Sequence, residues 1–265
     1  MHALEALTVA GSGAGVDVAR FHWITFDVND LLPPHWQQEI TTVAAEAEFR
    51  GFPKTPVLTR ESAEVSHINR GRVHAHQVRR GIPWLQGLYH SIFLELANDA
   101  WPEPVVPAAD TRYGVVLNVQ RGTSMRFEAH VDSNPVSGVL FCSDHPAGGG
   151  EVAISHDPTA ADVDAIDRDC SIIRPQAGYL VFFDGRDRAH YARSLITESD
   201  MRVVAVMNYY TESFPESTRP RQLNRHLYGD PVLMLVVRRP RGQAALPVRA
   251  VVLAIVALPS TVSPA

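Results

Sequence analysis

Cysteine is scarce in this sequence and long apolar runs are missing, and each absence argues against a class of protein. The two cysteines, Cys142 and Cys170, form no CxxC pair, so a zinc ribbon, a dithiol redox site and a disulfide framework lack their residues. The most apolar stretch, residues 250–258, is far below the roughly 20 residues that span a bilayer. No basic and apolar leader opens the chain, and we expect a cytoplasmic protein without a membrane partner.

A basic run long enough to follow a phosphate backbone is also missing. The 29 acidic and 24 basic residues are scattered and give a formal charge of -5, so we expect no nucleic-acid partner. What the sequence does have is twelve histidines, and histidine is the commonest metal ligand. With 45% hydrophobic residues in a chain of 265, one sizeable core can form.

The predicted domain organisation is simple. Residues 1–18 are rich in Ala and Gly and have no sustained periodicity, which predicts a flexible leader. Their glycine cluster is not a nucleotide-binding loop, because no strand precedes it and no Gly-Lys-Ser/Thr follows. We predict a single catalytic domain over residues 19–240 and a poorly ordered tail over residues 241–265.

The first hundred residues are predicted to form a strand, a helix, a loop and a second helix. Residues 20–26 alternate as a strand does, and residues 35–49 have helical spacing after a Pro-Pro pair. Residues 54–81 are polar, basic and irregular. Residues 82–101 carry the i, i+3, i+4, i+7 apolar pattern of one amphipathic helix.

Beyond residue 107, short β-rich runs alternate with Gly, Pro, Asp and Asn, as barrels and sandwiches require. The clearest predicted strands are residues 113–119, 138–141, 151–154, 171–173, 179–183 and 202–210. Helices first and strands afterwards predict an α+β fold with a mainly β core at residues 107–215 and N-terminal helices packed on one face.

Metal-binding side chains are spaced for one site. His130 and Asp132 point to the same side of an extended segment, because side chains there alternate with a period of two. Two histidines and one carboxylate leave open positions on Fe(II). His190, after an apolar strand and a polar loop, is the preferred third ligand, and His156 beside a turn is its rival. The alternatives are a surface turn around Asp132 and a solvated loop at His190.

Two further groups of polar residues are candidates for binding. Arg202 opens a predicted strand, and its planar guanidinium can bind a carboxylate through two parallel hydrogen bonds. Its apolar neighbours favour burial, which requires an anionic partner, and an exposed charge at a strand edge is the alternative. His74 and His76 lack an accompanying Cys or HExxH motif, so a solvated loop is favoured over a zinc pair.

Five features in order resemble the Fe(II)/2-oxoglutarate-dependent oxygenases, in particular the branch similar to prolyl hydroxylases. They are His-x-Asp at 130–132, Gly-Gly-Gly-Glu at 148–151, Pro-x-x-Gly-x-Leu-x-x-Phe at 175–183, His190 and Arg202. The resemblance covers roughly residues 112–210. In general organisation the chain is also distantly similar to free-amino-acid hydroxylases and halogenases of natural-product pathways.

The resemblance implies a double-stranded β-helix (jelly-roll) barrel with Fe(II) held by His130, Asp132 and His190. Arg202 would bind the distal carboxylate of 2-oxoglutarate. Family members often have a tyrosine about ten residues before the first histidine to support this co-substrate. Here that position is Gln120, so an amide replaces the contact or it is made elsewhere. Because related halogenases have Gly or Ala in place of the aspartate, Asp132 favours hydroxylation or desaturation.

Candidates for the substrate pocket are chosen by position relative to these ligands. One aromatic residue precedes the first histidine by three positions, two residues share the parity of Arg202 on its strand, and two arginines could reach the pocket from a lid or lie on the surface. These residues are Phe127, Asn208, Tyr210, Arg70 and Arg72.

The resulting functional prediction is a dioxygenase that uses Fe(II), 2-oxoglutarate and O2. It would hydroxylate an unactivated C–H bond of a small polar metabolite, such as a free amino acid or derivative, and release succinate and CO2. We expect a monomer or homodimer. Hydroxylation of a protein side chain and a jelly-roll module that binds without redox chemistry are the alternatives.

Overall fold

Two antiparallel sheets and five α-helices make up the part of the chain that the structure describes. The structure is a computed structural model and describes residues 23–53, 67–220 and 223. In chain order the elements are β1 (Trp23–Asp27), α1 (Trp36–Ala44), β2 (Glu48–Pro53), β3 (His67–Val73), α2 (Ala75–Gly81), α3 (Pro83–His90), α4 (Ile92–Ala100), β4 (Val105–Pro107), β5 (Val115–Arg121), β6 (Phe127–His130), β7 (Val136–Phe141), β8 (Val152–Ser155), α5 (Val163–Arg168), β9 (Cys170–Ile173), β10 (Tyr179–Phe183), β11 (His190–Ala192) and β12 (Met201–Thr211). The predicted mixture of helices and strands is confirmed, and the strands pair antiparallel.

The strands divide into a larger and a smaller sheet. The larger has the order β1-β10-β7-β12-β5-β3-β2, with β4 paired to the end of β12, and the smaller has the order β6-β11-β8-β9. Apolar side chains of both sheets, among them Phe141 on β7, Ile154 on β8 and Phe183 on β10, pack into one cluster. The two sheets therefore face each other, as the layers of a sandwich do.

The long central strand β12 separates two environments. Its side chains Val203, Ala205 and Met207 join the cluster formed with the helices α1–α4. The alternate side chains, from Arg202 to Asn208, line a cavity between the sheets. Because side chains alternate across a strand, one strand binds the helical layer on one face and contributes to the cavity on the other.

Two segments before residue 82 differ from the prediction. The helix predicted at 35–49 ends at Ala44, and the segment predicted to be irregular at 54–81 contains β3 and α2. β2 pairs with β3, and β3 pairs with β5. Such pairing between distant segments overrides local propensity. His74 and His76 belong to α2 and its N-terminal cap, where Gln77 accepts the His74 N–H at 2.8 Å, so the predicted loop at this pair is wrong.

The single helix predicted at 82–101 is two helices, α3 and α4, interrupted at Ser91. Ser91 has φ -124° and ψ -105°, and its hydroxyl donates to the Gly87 carbonyl at 2.9 Å. A serine side chain that bonds to the backbone offers an alternative to continued helix. The apolar pattern passes through the break because Tyr89 and Phe93 enter the same core.

The other strands follow the predicted ones to within a few residues. β4, β6 and β11 have no predicted counterpart, because strands of three or four residues are too short to show a period of two. The predicted leader 1–18, the start of the predicted strand at 20–22 and the tail 241–265 lie outside the described residues. The described residues all belong to the unit Met1–Pro231, and the single domain at 19–240 stays a prediction. None of the helices in the described ranges has the length and apolar character that crossing a bilayer requires.

Candidate active site

Strands β6 and β11 bring two histidines together. His130 ends β6 and lies directly opposite His190, which begins β11, and their ring centroids are 4.3 Å apart. Asp132 follows β6, and its backbone N–H donates to the Gly185 carbonyl at 2.7 Å. One ligand atom from each of these three side chains lies within 4.8 Å of the other two.

The hydrogen bonds of the two rings fix which nitrogen can bind a metal. Nδ1 of His130 lies 2.8 Å from the Glu128 carbonyl oxygen, and Nδ1 of His190 lies 3.0 Å from that of Arg188. Because a carbonyl only accepts, each Nδ1 must carry the proton, which leaves the Nε2 lone pair available. Both Nε2 atoms lie 3.5 Å from an oxygen of Asp132. The donor set fits a divalent metal bound by two histidines and one carboxylate.

The electrostatics keep Asp132 and His190 in forms that can bind a metal. Burial by itself would raise the pKa of Asp132, but the positive charge that His190 and His130 carry when protonated holds that pKa well below its usual range. Burial and the neighbouring His130 lower the pKa of His190 to about 4, against the opposing effect of Asp132. A carboxylate and a neutral imidazole are therefore present near neutral pH, as metal binding requires.

A second layer of residues orients Asp132. The Ser137 hydroxyl donates to Asp132 Oδ2 at 2.5 Å, and Asn134 Nδ2 donates to the same hydroxyl at 3.0 Å. Gly185 packs against both groups, since a Cβ at this position would overlap with Asp132 Oδ2 and with Ser137 Oγ. The sequence does not mark these supports: Asn134 and Ser137 contact neighbours within five residues without a recognisable pattern, and Gly185 comes from a loop that meets Asp132 only in the folded chain.

Arg202 carries a buried positive charge in the same cavity. Its side chain is 3% exposed, its NH1 donates to Gln120 Oε1 at 2.8 Å, and its Nε has no hydrogen-bond partner among the described residues. Burial lowers the pKa of Arg202 to about 10, which leaves the guanidinium charged at neutral pH. A buried charge with an unused donor fits a carboxylate ligand.

The Gly-Gly-Gly-Glu turn makes room for this arginine. Gly148, Gly149 and Gly150 all have positive φ values of 101°, 88° and 73°, which glycine adopts without strain. A Cβ on Gly150 would lie 2.7 Å from Cδ of Arg202. The motif therefore has a packing role beside Arg202 as well as a conformational one.

The cavity between the sheets has a volume of about 920 Å³, counting its open mouth. Of the predicted pocket residues, Phe127 and Asn208 line it. Tyr210 is buried outside the lining, with its hydroxyl 3.2 Å from that of Tyr113. Arg72 is buried in β3 and is not among the lining residues, and the side chain of Arg70 lies outside what the structure describes.

Several lining residues are absent from the sequence-based prediction. The polar ones are Asn118, Ser133, Asn134, Ser137 and Arg219. The Oδ1 of Asn118 is buried with no partner among the described residues. It precedes Gln120 by two positions, and this shared strand parity is a signal that could have identified it.

Gln120 and His156 do not line the cavity. Gln120 donates from Nε2 to the Arg193 carbonyl at 3.2 Å, which turns its oxygen toward Arg202. The ring of His156 lies 2.8 Å from both Asp169 Oδ1 and Ser171 Oγ. The rival third ligand is therefore not part of the metal-binding group.

This chain resembles known proteins in its structure, although its sequence matches none of those it was compared with. No protein-family model and no curated protein matches the chain. Among solved structures, AviO1 from Streptomyces viridochromogenes Tue57 has a TM-score of 0.52 and 16% identity, covering 74% of this chain and 92% of AviO1. SnoN, a non-haem α-ketoglutarate-dependent epimerase from nogalamycin biosynthesis, has a TM-score of 0.51 and 14% identity over 72% of this chain and 78% of SnoN.

A third similar structure is a prolyl hydroxylase from Trichoplax adhaerens in complex with a hypoxia inducible factor peptide fragment. It has a TM-score of 0.50 and 12% identity, and the match covers 72% of this chain and 84% of that chain. At such identities the likeness concerns the fold. This chain has the fold of Fe(II)/2-oxoglutarate-dependent oxygenases, as the order of its motifs predicts.

Proposed function

We propose that this protein is an Fe(II)- and 2-oxoglutarate-dependent dioxygenase that hydroxylates an unactivated C–H bond of a small polar metabolite, such as a free amino acid or derivative. The observation that carries the proposal is the grouping of His130, Asp132 and His190 within 4.8 Å in a cavity that also holds the buried Arg202. Fe(II) bound there, with 2-oxoglutarate and O2, would supply the oxidising chemistry, and succinate and CO2 would be released.

The protein's own residues would position the reactants. Arg202 would bind the distal carboxylate of 2-oxoglutarate through its unused Nε and a neighbouring N–H, while Gln120 holds the guanidinium in place. Phe127 and Phe183 pack against the ligand histidines, at centroid distances of 4.7 Å and 4.9 Å. These rings would keep water from the metal side of the cavity.

The proposed architecture is a double-stranded β-helix with the metal near its mouth. From β5 to β12, eight strands divide into β10-β7-β12-β5 in the larger sheet and β6-β11-β8-β9 in the smaller. Two facing sheets of four antiparallel strands are typical of a jelly roll. In this arrangement both ligand histidines lie on the smaller sheet and Arg202 lies on the larger.

Hydroxylation of a protein side chain is the second candidate, because the Trichoplax adhaerens structure that resembles this chain is a prolyl hydroxylase with a bound peptide fragment. A non-catalytic binding module is disfavoured by the Nδ1 hydrogen bonds of both histidines, which leave each Nε2 for a metal. A cytoplasmic location and a monomeric or homodimeric state remain part of the proposal.

The direct test is anaerobic addition of Fe(II) and 2-oxoglutarate to the purified protein. We expect the visible metal-to-ligand charge-transfer band of a chelated 2-oxoglutarate complex, and we expect His130→Ala to lose it. His156→Ala is the matched control, because His156 lies outside the metal-binding group, and it should keep the band. Absence of the band in the unaltered protein would contradict the proposed function.

A further inference from the structure

A second arginine lines the cavity and has no role in the site described so far. Arg219 lies beyond the end of β12, after the 3-10 turn Glu216–Thr218. Its side chain is buried, with 8% exposure, and it forms part of the cavity wall. Its NH1 donates to the hydroxyl of Ser133, the residue that follows the predicted metal ligand Asp132.

The position of Arg219 is built by its surroundings. Its guanidinium carbon lies 4.2 Å from the centroid of the Tyr113 ring, and the Tyr113 hydroxyl donates to the carboxylate of Glu216. The same carboxylate accepts the backbone N–H groups of Ala109 at 2.6 Å and Asp110 at 3.1 Å. These contacts attach the segment after β12 to the segment before β5. A guanidinium held over an aromatic ring is well ordered before any ligand arrives.

Arg219 and Arg202 lie at different ends of the cavity. Arg219 packs on the ring of Tyr113, and Asn208 donates from Nδ2 to the Tyr113 carbonyl at 2.7 Å. Arg219 therefore lies near the Asn208 end of β12. Arg202 is six positions earlier on the same strand, a separation of about 20 Å for extended backbone. Both ends adjoin the predicted metal ligands: Ser133, which accepts from Arg219, follows Asp132, and the Gln120 that holds Arg202 contacts Arg193, three residues beyond His190.

The charged side chains that line the cavity indicate which kind of ligand it can bind. Its lining contains one carboxylate, Asp132, and two guanidinium groups, Arg202 and Arg219, so basic side chains outnumber acidic ones. Fe(II) would add two positive charges and 2-oxoglutarate two negative ones, so loading the site adds no net charge to these side chains. Charge in a cavity of low dielectric is stabilised by an opposite charge on the ligand.

We propose that Arg219 binds the carboxylate of the substrate, and that the substrate is therefore a small carboxylic acid held on the opposite side of the metal from the 2-oxoglutarate anchor. Ser133 positions the guanidinium for this contact. The inference rests on the proposed function and narrows its substrate class. It also separates the two candidate functions, because the side chain of an internal proline in a peptide brings no carboxylate of its own.

The test uses pairs of small monocarboxylates and their primary amides, from acetate and acetamide to L-phenylalanine and its amide. Each is titrated anaerobically into the protein loaded with Fe(II) and saturating 2-oxoglutarate, and binding is measured by calorimetry and by perturbation of the visible band. The unaltered protein should bind at least one acid and discriminate against its amide. Arg219→Gln should weaken binding of that acid by about 10- to 100-fold, the effect of a lost hydrogen bond to a charged group.

Two further variants make the result specific. Arg219→Lys keeps the charge and loses the planar fork, so it should bind the acid with intermediate affinity. Arg174→Gln is the matched control, because Arg174 is exposed and lies outside the cavity lining, and it should bind as the unaltered protein does. All variants should retain the 2-oxoglutarate band, which shows that they are folded and loaded.

Three results would overturn the subsite: no acid of the panel binds, acid and amide bind equally, or Arg219→Gln binds the acid as tightly as the unaltered protein. If Arg219→Gln does not fold, Arg219→Lys decides, and unchanged discrimination with unchanged affinity in that variant counts against the proposal. A missing band in the unaltered protein overturns the proposed function and the subsite with it. A normal band without discrimination overturns the subsite alone.

Discussion

At the scale of single residues, the candidate metal site depends on the absence of a side chain at Gly185 as well as on the side chains that would bind the metal. Gly185 has no side chain, and this lets the loop after β10 approach Asp132 closely. The Asp132 carboxylate then receives the Ser137 hydroxyl on one oxygen and faces the two histidines. Outer residues of this kind orient metal ligands and usually change metal affinity when altered.

Gly185→Ala should therefore weaken Fe(II) binding by about 10- to 100-fold, because the new Cβ would overlap with Asp132 Oδ2 and force the carboxylate to move. Anaerobic metal titration followed by the 2-oxoglutarate band measures the effect. Gly87→Ala is the control: a Cβ added to Gly87 in α3 would meet no atom within 4 Å, and alanine there should stabilise the helix by about 0.5–1 kcal/mol. Equal metal affinity in both variants would contradict the role assigned to Gly185.

Sequence patterns and the folded chain agree best where the signal is local. His130 and Asp132 are identifiable because two residues in extended backbone share a face, and Arg202 because an arginine opens an apolar strand. Ser137 is not, because its contact with Asp132, five residues earlier, follows no recognisable pattern. Gly185 and Arg219 are not, because each contacts a residue far away in the sequence. Their contacts exist only after the sheets have formed.

At the scale of secondary-structure elements, the Tyr89 side chain attaches α3 to the end of β12. The Tyr89 hydroxyl donates to the Asn208 carbonyl at 2.7 Å and accepts the Ala108 N–H at 2.7 Å. Its ring also packs against Tyr209, with a centroid distance of 4.7 Å. Tyr89 thereby satisfies two buried backbone groups between a helix and two strands.

Tyr89→Phe should lower the free energy of unfolding by about 1–3 kcal/mol, because it leaves a buried N–H and a buried carbonyl with one partner fewer. Urea denaturation measures this change. Tyr179→Phe serves as the comparison, since Tyr179 is partly exposed at the start of β10, and a change within about 0.5 kcal/mol is expected there. If Tyr89→Phe lowers the free energy of unfolding no more than Tyr179→Phe does, the hydroxyl does not attach α3, and the packing of the ring does.

Strands were predictable where an apolar run marks them, whereas β3, with seven residues, was missed because its segment is polar. β10 is an apolar run of five residues and matches its predicted bounds, and β12 extends its predicted strand by one residue at each end. β6 and β11, with four and three residues, pair with each other, and β11 also pairs with β8. They hold the two candidate ligand histidines. The periodicity of residues 82–101 also conceals the break at Ser91, since both helices bury the same apolar face.

At the scale of the whole molecule, the candidate site spans both sheets. His130 and His190 belong to the smaller sheet and Arg202 to the larger, so a metal and a co-substrate bound together would connect the two layers. A ligand that binds the folded state alone stabilises it by about 2.7 kcal/mol at 100 times its Kd. The ligands should therefore be visible in the unfolding temperature as well as in the spectrum.

We expect Fe(II) and 2-oxoglutarate, added together without O2, to raise the unfolding temperature by roughly 5–10 °C, given about 2–4 °C per kcal/mol for a domain of this size. A chelator should reverse the shift. Arg202→Gln should keep the increment due to Fe(II) and lose most of that due to 2-oxoglutarate, because the buried guanidinium is the proposed carboxylate anchor. Equal 2-oxoglutarate increments in the two proteins would move that anchor elsewhere.

The Nδ1 hydrogen bonds of the two candidate ligand histidines affect which sequence changes this protein can tolerate during evolution. Each ring is oriented by a main-chain carbonyl two residues earlier in its own segment, at Glu128 and at Arg188. Every amino acid supplies that carbonyl, so inherited changes of side chain at these two positions leave the ring orientation intact. Main-chain support of this kind does not depend on the identity of the supporting residue. The orientation of both candidate ligand rings can therefore persist while the surrounding sequence changes extensively.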